Sequence, residues 1–222
     1  MSAPDKRATL ADQVSEATTS RLSIYLRCLD QLASAGVATV ASNALAVRFG
    51  LSAAQIRKDL AHFGELGVRG VGYDVEKLRR HLREILGLDH VSRVGILGAG
   101  NLGLALADYS GFRAGFEVAA LFDNDPAKVG RRTRSGVVVR HVDDLAATVA
   151  RERIEIALVA VPAPAAQDVV DLVVGCGIRA ILSFSPGALR VPPNVKLKSV
   201  DFTASLETLS FFLASERDGH QA

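Results

Sequence analysis

The stretch from Arg93 to Asp125 constrains the fold of this chain more than any other. An apolar run that ends at Leu97 leads into a glycine-rich turn, a helical pattern follows, and a second apolar run stops at Asp123. This order is typical of a strand, a phosphate-binding turn, a helix and a second strand. The turn consists of Gly98, Ala99, Gly100, Asn101, Leu102 and Gly103.

Each glycine of this turn meets a steric requirement of a dinucleotide site. Gly98 permits the tight turn out of the strand, Gly100 lets a pyrophosphate approach the backbone, and Gly103 lets the helix pack closely on the sheet. The helix start adds unpaired amide donors for the phosphates. Asp123 is placed to accept the hydroxyls of an adenine ribose, which favours NAD(H) over a dinucleotide with a 2′-phosphate. An ordinary turn between strand and helix, with a solvated acidic loop after it, is the alternative.

Composition and cysteine usage exclude several classes of protein. Of the 222 residues 49% are hydrophobic, enough for one large domain or two small ones with separate cores. No apolar run approaches the roughly 18–20 residues that span a bilayer, and the N-terminus lacks the apolar segment of a signal peptide. Cys28 and Cys176 have no metal-like spacing. We therefore expect buried thiols, no metal, no membrane, and a reducing compartment, the cytoplasm.

Positive charge is concentrated in the first part of the chain. Up to Leu86 there are 12 Lys and Arg against 9 Asp and Glu, whereas the remainder carries 14 against 15. A basic face attracts phosphates whatever their sequence, so this asymmetry indicates a polyanionic partner. A solvated helix face would give the same count.

A helix-turn-helix pattern occupies this basic part. Apolar residues at helical spacing predict a first helix from Ser20 and a second helix that Thr39 caps. Ser52 as N-cap and Gln55 three residues later fit the capping box of a third helix, which extends to about Phe63. Two short helices around a glycine-containing turn form the motif.

The third helix has an apolar face and a polar face. In such a motif this helix enters the major groove, where its N-terminal residues meet base edges and its cations meet phosphates. The glycine-punctuated stretch that follows predicts a short hairpin, or wing, with Arg69 near its tip. The residues predicted to contact DNA are Ser52, Gln55, Arg57, Lys58, Arg69 and Gly70.

Strands alternate with helices in the rest of the chain. Beyond Asp123 we predict strands at 137–140, 154–161, 178–184 and 195–200, with helices at 143–152 and 165–175. This alternation predicts an α/β fold with a doubly wound, mostly parallel sheet. The last helix carries an apolar stripe with no later element to cover it. The stripe either folds back on its own domain or is buried in a second subunit, and we expect the second subunit. The stripe consists of Phe202, Leu206, Leu209, Phe212 and Leu213.

The predicted cofactor site lacks catalytic groups. A dehydrogenase would place an acid or base beyond the carboxyl ends of its strands, yet residues 161–164 and 183–186 contain no His, Lys, Asp, Glu or Tyr. Among the histidines only His141 lies near a strand end, and no room is left for a substrate domain. We expect a site that binds a nicotinamide dinucleotide without consuming it. An NAD-dependent dehydrogenase and another nucleotide-binding module, such as one for CoA, are the alternatives.

Taken in order, these motifs resemble those of Rex, a family of bacterial redox-sensing transcriptional repressors. The resemblance covers nearly all of residues 20–213. It rests on Ser52-Ala53-Ala54-Gln55-Ile56-Arg57-Lys58-Asp59-Leu60 with Phe63-Gly64, on Gly67-Val68-Arg69-Gly70-Val71-Gly72-Tyr73, on the glycine turn, on Ala107-Asp108-Tyr109 with Gly111-Phe112, on Ala120-Leu121-Phe122-Asp123 with Lys128-Val129-Gly130, and on Val200-Asp201. It implies a homodimer whose subunits exchange their C-terminal helices and which binds a pseudo-palindromic operator. It also implies that NADH releases the repressor from DNA and that NAD⁺ competes with NADH.

The resemblance also implies roles for particular residues. It assigns the glycine turn and Asp123 to the cofactor, with Tyr109 beside them and Phe202 near the nicotinamide bound by the other subunit. A network of Arg21, Tyr109 and Asp201 would form the switch.

Two positions depart from the family's pattern. Leu104 stands where the family often has Arg, and Ser183-Phe184-Ser185-Pro186 stands where Asn-Phe-Ala-Pro is usual. We therefore expect phosphate affinity and nicotinamide contacts to differ in detail.

Four regions follow from the sequence and the resemblance together. They are a disordered tail at 1–19, a winged-helix DNA-binding domain at 20–86, a Rossmann-like dinucleotide-binding domain at 92–200, and a swapped dimerisation helix at 201–215.

Overall fold

A computed structural model of the chain describes residues 14–68 and 70–219. The chain divides into two compact units, Met1–His90 and Val91–Ala222. We call them the N-terminal unit and the C-terminal unit.

The N-terminal unit is mainly helical. Its elements are α1 (Glu16–Ser34), β1 (Thr39–Val40), α2 (Ser42–Phe49), α3 (Ala53–Ala61), β2 (Tyr73–Asp74) and α4 (Val75–Ile85). Strands β1 and β2 pair antiparallel. Gly50 ends α2 in the left-handed conformation, with φ of 62°, and Ser52 caps α3 by accepting a hydrogen bond from the backbone N–H of Gln55. The predicted helix-turn-helix is therefore present as α2 and α3.

Two local predictions for this unit were wrong, and one was confirmed. Helix α1 begins at Glu16 and not at Ser20, because the Ser15 hydroxyl accepts from the Thr18 backbone and caps it. Residues 16–19 of the predicted tail are thus helical, and residues 1–13 lie outside the described part. Thr39 does not cap α2; it lies in β1 opposite Asp74. The predicted short hairpin is present, since Val68 and Gly72 form an antiparallel bridge with backbone hydrogen bonds of 2.8 and 2.9 Å in both directions.

The core of the N-terminal unit is formed by the apolar faces of its helices. Its most deeply buried side chains, each at 1% exposure or less, include Leu22, Tyr25, Leu29, Leu45, Ile56, Leu78 and Leu82. Because α3 contributes Ile56 and Leu60 to this core, the opposite side of α3 is free for Arg57 and Lys58, which are exposed. The face predicted to meet DNA is thus fixed by the packing of the other face.

The C-terminal unit alternates strands and helices. Its elements are β3 (Ser92–Leu97), α5 (Asn101–Ala107), β4 (Phe116–Asp123), β5 (Val139–His141), α6 (Leu145–Glu152), β6 (Ile156–Val159), α7 (Ala163–Gly175), β7 (Ala180–Ser183), β8 (Lys196–Ser199) and α8 (Phe202–Gly219). Short 3-10 helices lie at Ser110–Ala114 and Val142–Asp144. The four strands after Asp123 are shorter than predicted, whereas α8 extends beyond the predicted end at residue 215.

One sheet organises this unit. Its six strands follow the order β5-β4-β3-β6-β7-β8, and every neighbouring pair is parallel. Two hydrophobic clusters contain its buried residues, one around Phe122 and Val159 and the other around Ile96 and Leu121. The doubly wound parallel sheet is confirmed. The direction of winding reverses between β3 and β6, and in such sheets ligands bind beyond the strand ends at that point.

Candidate dinucleotide and DNA sites

The glycine turn lies at the reversal point between β3 and β6. Gly98 has φ of 103°, and a Cβ there would lie 2.5 Å from the carbonyl oxygen of Ala160 on the neighbouring loop. At Gly103 a Cβ would collide with the carbonyl oxygen of Gly98, so α5 can begin this close to the turn only with glycine. Gly100 has no atom within 4 Å of its missing Cβ. The backbone at Gly100 is therefore open to a ligand, as the sequence predicts.

Asp123 ends β4 beside this turn and is almost fully buried. Its Oδ2 accepts from the backbone N–H of Ala99 at 2.7 Å and from Lys128 Nζ at 3.0 Å. Its Oδ1 accepts from the backbone N–H of Asp125 at 2.9 Å. Burial opposes ionisation, but the hydrogen bonds from Asp125, Lys128 and Ala99 outweigh it and lower the pKa of Asp123 below its usual value. The residue is a carboxylate at neutral pH.

A cavity of about 570 Å³ opens at the strand ends next to Asp123. This volume lies within the usual range for small-molecule and cofactor sites. Its lining includes Gly98, Gly100, Phe122, Asp123, Lys128 and Val161. The cavity therefore joins two glycines of the turn to the predicted ribose acceptor, and it adds Lys128, whose role the sequence analysis missed. A lysine five residues after a ribose acid was the available signal.

The two serines that depart from the family pattern are buried and internally bonded. The Ser185 hydroxyl donates to the carbonyl oxygen of Val161 at 2.6 Å, and the Ser185 backbone N–H donates to Ser183 Oγ at 3.1 Å. The Ser185 hydroxyl thus joins the segment after β7 to the segment after β6, whereas the Ser183 hydroxyl accepts within its own segment. Phe184, between them, stacks on Phe202 at the start of α8, with ring centroids 6.1 Å apart.

The three residues of the predicted switch network lie in both units. In the C-terminal unit, Tyr109 is 58% exposed, and the Asp201 carboxylate accepts from the backbone N–H groups of Thr203 and Ala204 at the start of α8. In the N-terminal unit, Arg21 donates through Nε and Nη2 to Asp59 at 2.6 and 2.8 Å. The network itself stays a prediction, and Asp59 is a partner of Arg21 that it did not include.

Helix α3 carries most of the residues predicted to contact DNA. Ser52 is its N-cap. The Arg57 guanidinium donates to Ser42 Oγ on α2 at 3.1 Å, and the Lys58 side chain is exposed. The capping box is half formed, because the Gln55 side chain does not return to Ser52 but donates to Asp59 at 2.7 Å. In the wing, Gly70 is exposed with φ of 80°, and Arg69 lies outside the described residues.

Asp59 is a buried acid that the sequence analysis did not single out. It is 1% exposed and also accepts from the Tyr25 hydroxyl at 2.8 Å. Burial opposes its ionisation, but the hydrogen bonds from Arg21, Tyr25 and Gln55 outweigh it and lower its pKa. The available signal was the position of an acid next to Ile56 and Leu60 on the apolar face of the helix, where a charge requires partners.

The described residues contain neither a metal-binding cluster nor a membrane-spanning helix. Within 14–68 and 70–219, no group of three or more His, Cys, Asp or Glu side chains is arranged to hold a metal ion. In the same part of the chain, no helix has the length and apolarity needed to cross a membrane.

Two family models match the sequence. A model described as a putative DNA-binding protein N-terminus matches residues 13–61, and a model described as a CoA binding domain matches residues 89–187. The first contains the helix-turn-helix, and the second contains the glycine turn and Asp123.

Curated relatives match over nearly the whole chain. The redox-sensing transcriptional repressor Rex of Desulfitobacterium hafniense is 46% identical over 206 residues, which cover 92% of this chain and 98% of that protein. The chain belongs to the Rex family. The resemblance stated from the motifs is thereby confirmed.

Solved Rex structures have the same fold. RSP, a Rex-family repressor, in complex with β-NAD⁺ and operator DNA is 39% identical, with a TM-score of 0.88 over 94% of this chain and 96% of that one. RSP in complex with β-NADH is 38% identical, with a TM-score of 0.82 over 94% of this chain and 98% of that one. The Rex fold, a DNA-binding domain followed by a parallel-sheet domain, is thus shown for this chain.

Proposed function

We propose that this chain is a redox-sensing transcriptional repressor that binds operator DNA as a homodimer. NADH releases the repressor from DNA, and NAD⁺ competes with NADH for the same site. The observation that carries this proposal is the match over 94% of the chain to a Rex-family repressor bound to both β-NAD⁺ and operator DNA.

The dinucleotide is assigned to the cavity at the end of β4. Asp123 accepts from the adenine ribose, and its charge excludes a 2′-phosphate. The glycine turn and the first amides of α5 face the pyrophosphate. The residues we assign to the cofactor are Gly98, Ala99, Gly100, Asn101, Leu102, Gly103, Asp123, Tyr109 and Phe202. The open backbone at Gly100 and the buried acceptor Asp123 fit this ligand.

The redox state is distinguished by the charge of the ligand. Oxidised nicotinamide carries a positive charge that the reduced ring lacks, and placing a cation among apolar groups costs desolvation energy. Phe202, which stacks on Phe184 at the end of the sheet, supplies such surroundings to the nicotinamide bound by the partner subunit. This environment favours NADH over NAD⁺, so the chain acts as a sensor and not as an enzyme.

DNA is assigned to α3 and the wing. The exposed Arg57 and Lys58 contact phosphates, Gln55 meets a base edge, and Ser52, Arg69 and Gly70 complete the interface. Two copies related by a twofold axis then read a pseudo-palindromic site. Since an operator lies on the chromosome, this function places the chain in the cytoplasm.

The second copy covers α8. Six large apolar side chains of this helix, Phe202, Leu206, Leu209, Phe211, Phe212 and Leu213, are between 55% and 67% exposed. Contiguous apolar surface of this kind marks an interface between proteins. We assign residues 201–215 to an exchange of helices between the two subunits, with Arg21, Tyr109 and Asp201 as the switch.

NADH can release the repressor from the operator only if NADH binds the released state more tightly than the DNA-bound state. A ligand shifts an equilibrium by its differential binding to the two states, and a coupling of about 3 kcal/mol would change operator affinity roughly 150-fold.

A gel shift tests the proposal. The full chain first selects its operator from a library of random DNA duplexes, and the complex is then titrated with NADH, NAD⁺, NADPH and CoA. We expect NADH to release the DNA and the other three to leave it bound. Equal shifts with NADH and NAD⁺ would contradict the sensor, and release by CoA would favour another nucleotide as effector.

A further inference from the structure

Among the residues that we assign to DNA, Gln55 is the one with a side-chain amide. It occupies the first turn of α3, and in a helix-turn-helix the N-terminal residues of this helix reach the base edges. A glutamine amide presents a carbonyl acceptor on one side and an NH₂ donor on the other. When the amide is free to turn over, it can accept from an amino group or donate to a carbonyl group of a base. Its orientation therefore decides which bases it can recognise.

Asp59 fixes this orientation from inside the protein. Gln55 Nε2 donates to Asp59 Oδ1 at 2.7 Å, one turn further along the same helix. Asp59 is a carboxylate, as its lowered pKa indicates, and a carboxylate can only accept hydrogen bonds. If the amide turned over, its oxygen would face the Asp59 oxygens and both groups would lose a hydrogen bond. The NH₂ group of Gln55 must therefore stay on the side of Asp59.

Asp59 is itself held in place by three further hydrogen bonds. Two come from the Arg21 guanidinium at 2.6 and 2.8 Å, and one comes from the Tyr25 hydroxyl at 2.8 Å. Both donors lie on α1, outside the helix-turn-helix, so the carboxylate cannot follow Gln55 into a different rotamer without breaking them. Charge-assisted hydrogen bonds of this kind are about twice as strong as neutral ones. These hydrogen bonds hold the Asp59 carboxylate in one position.

The carbonyl oxygen of the Gln55 amide remains available to contact a base. Within the described residues, Gln55 Oε1 has no hydrogen-bond partner, and the side chain is only partly buried. In the major groove, adenine N6 and cytosine N4 offer amino donors, whereas guanine O6 and thymine O4 offer acceptors. We infer that Asp59 is a positioning residue that turns the Gln55 carbonyl toward the groove, so that Gln55 selects a base with an exocyclic amino group. This inference rests on the proposed operator binding.

A library selection locates the base that Gln55 recognises. Wild type and Gln55→Met each select sequences from the same random duplexes, since methionine keeps the length of the side chain but removes the amide. We expect the two selections to differ at one base pair in each half-site, whose adenine or cytosine then carries the amino group that Gln55 contacts. Two identical selections would overturn the inference and leave the repressor function standing. Failure of wild type to select any sequence would overturn both.

Base analogues then test the hydrogen bond itself. Replacing the selected adenine by purine, or the selected cytosine by 2-pyrimidinone, removes only the exocyclic amino group. Wild-type affinity should fall about tenfold, as expected for one buried hydrogen bond, and the affinity of Gln55→Met should stay within twofold. An equal loss in both proteins would show that another residue contacts the amino group.

Asp59→Asn tests the positioning role. Asparagine can donate as well as accept, so the Gln55 amide becomes free to turn over, and the preference for the amino-bearing base should relax. A merely structural role of Asp59 would lower affinity for all duplexes equally and keep the preference. NADH binding of the variant, measured in the same preparation, confirms that the C-terminal unit is intact. If the variant does not fold, the base analogues with wild type and Gln55→Met still decide whether the Gln55 carbonyl faces an amino group, which is the orientation that Asp59 imposes.

Discussion

Asp123 combines a structural contact with a candidate ligand contact. Its Oδ2 already accepts from Ala99 and Lys128, whereas Oδ1 accepts, among the described residues, only from the Asp125 backbone. A ribose hydroxyl therefore meets Oδ1 directly and meets Oδ2 only if Lys128 moves or shares the contact. The same carboxylate that we assign to ligand choice also fixes the glycine turn through Ala99.

Asp123→Ser should change the preference between the two dinucleotides. Loss of charge-assisted hydrogen bonds should weaken NADH about tenfold or more, and loss of the negative charge should reduce the penalty on the 2′-phosphate of NADPH. Calorimetric titration with both ligands measures the ratio of their affinities. Asp168→Asn, which removes an acid elsewhere in the lining of the same cavity, should leave that ratio unchanged, and an unchanged ratio in Asp123→Ser would disprove the assignment.

Lys128 should account for the NADPH binding that remains in Asp123→Ser. With the acid gone, its ammonium group is left to face the 2′-phosphate. Adding Lys128→Met to Asp123→Ser should therefore abolish the gain in NADPH affinity, whereas adding Lys128→Arg should preserve it. If methionine and arginine give the same NADPH affinity, Lys128 does not contact this part of the ligand.

Arg57→Ala should weaken DNA binding without affecting NADH. Arg57 is exposed on α3, and removing one phosphate contact lowers the slope of log affinity against log salt by about 1. Arg80→Ala is the matched control, because Arg80 is exposed on α4, where we expect a solvated face. Binding isotherms over a range of salt concentrations measure both. Equal slopes for the two variants would place Arg57 outside the interface.

At the scale of residues, the sequence predicted where a residue lies in a strand, turn or helix better than it predicted the hydrogen-bond partners of that residue. The places of Asp123, Gln55 and the glycines at a strand end, a helix start and a turn followed from local rules of strands, turns and helix caps, and their binding roles stay predictions. Lys128 was missed although its spacing from Asp123 is local, and Asp59 was missed because its contacts depend on packing. Asp59 is 38 positions from Arg21 along the chain, and no local pattern relates two such residues.

At the scale of elements, Asp59 ties α3 to α1. Arg21 and Tyr25 of α1 donate to its carboxylate, so the helix that we assign to DNA is held by charge as well as by Ile56 and Leu60. The contribution of the Asp59 charge to the free energy of unfolding depends on pH, because the pKa of Asp59 is lower in the folded protein than its ordinary value.

Asp59→Asn should reveal that dependence. A group whose pKa is depressed by folding stabilises the protein above its unfolded pKa, about 3.9 for aspartate, and loses this effect as pH falls through the folded value. The free energy of unfolding of wild type should therefore exceed that of the variant by a constant amount between pH 7 and about pH 5. The difference should shrink below about pH 4. Chemical denaturation at each pH measures it, and a difference independent of pH would contradict the ionised state of Asp59.

Leu209→Glu should separate the subunits. It places a charge in the exposed apolar stripe of α8, and burying an unpaired charge in an interface costs several kcal/mol. Ala147→Glu adds the same charge at an exposed position of α6, outside residues 201–215, and should leave the assembly intact. Sedimentation of both variants measures the outcome. A dimer in both would show that α8 does not form the interface.

Element boundaries were predictable where a local signal exists. The Ser52 cap and the Gly50 turn gave the limits of the helix-turn-helix, because each satisfies a helix end within a few residues. Thr39 was misassigned because it pairs with Asp74 across the unit, and a capping residue cannot be told from a strand residue without knowing that partner. The start of α1 was placed too late because Ser15 lies before the apolar periodicity begins.

At the scale of the whole molecule, the sequence predicted two units of different function. The alternation of strands and helices after Ser92 defined the parallel sheet, since each crossover helix must cover a face of it. The switch could not be predicted in the same way. Arg21 and Asp201 lie 180 positions apart, and only the resemblance to Rex repressors joined them.

The competition between the two redox forms tests the account most directly. Fluorescence anisotropy of the labelled operator measures its release as NADH is added at several fixed NAD⁺ concentrations. If both forms share one site and only NADH favours the released state, the NADH concentration at half release should rise in proportion to NAD⁺, while the final level of release stays complete. A half-release point that does not move with NAD⁺, or release by NAD⁺ alone, would contradict redox sensing by this chain.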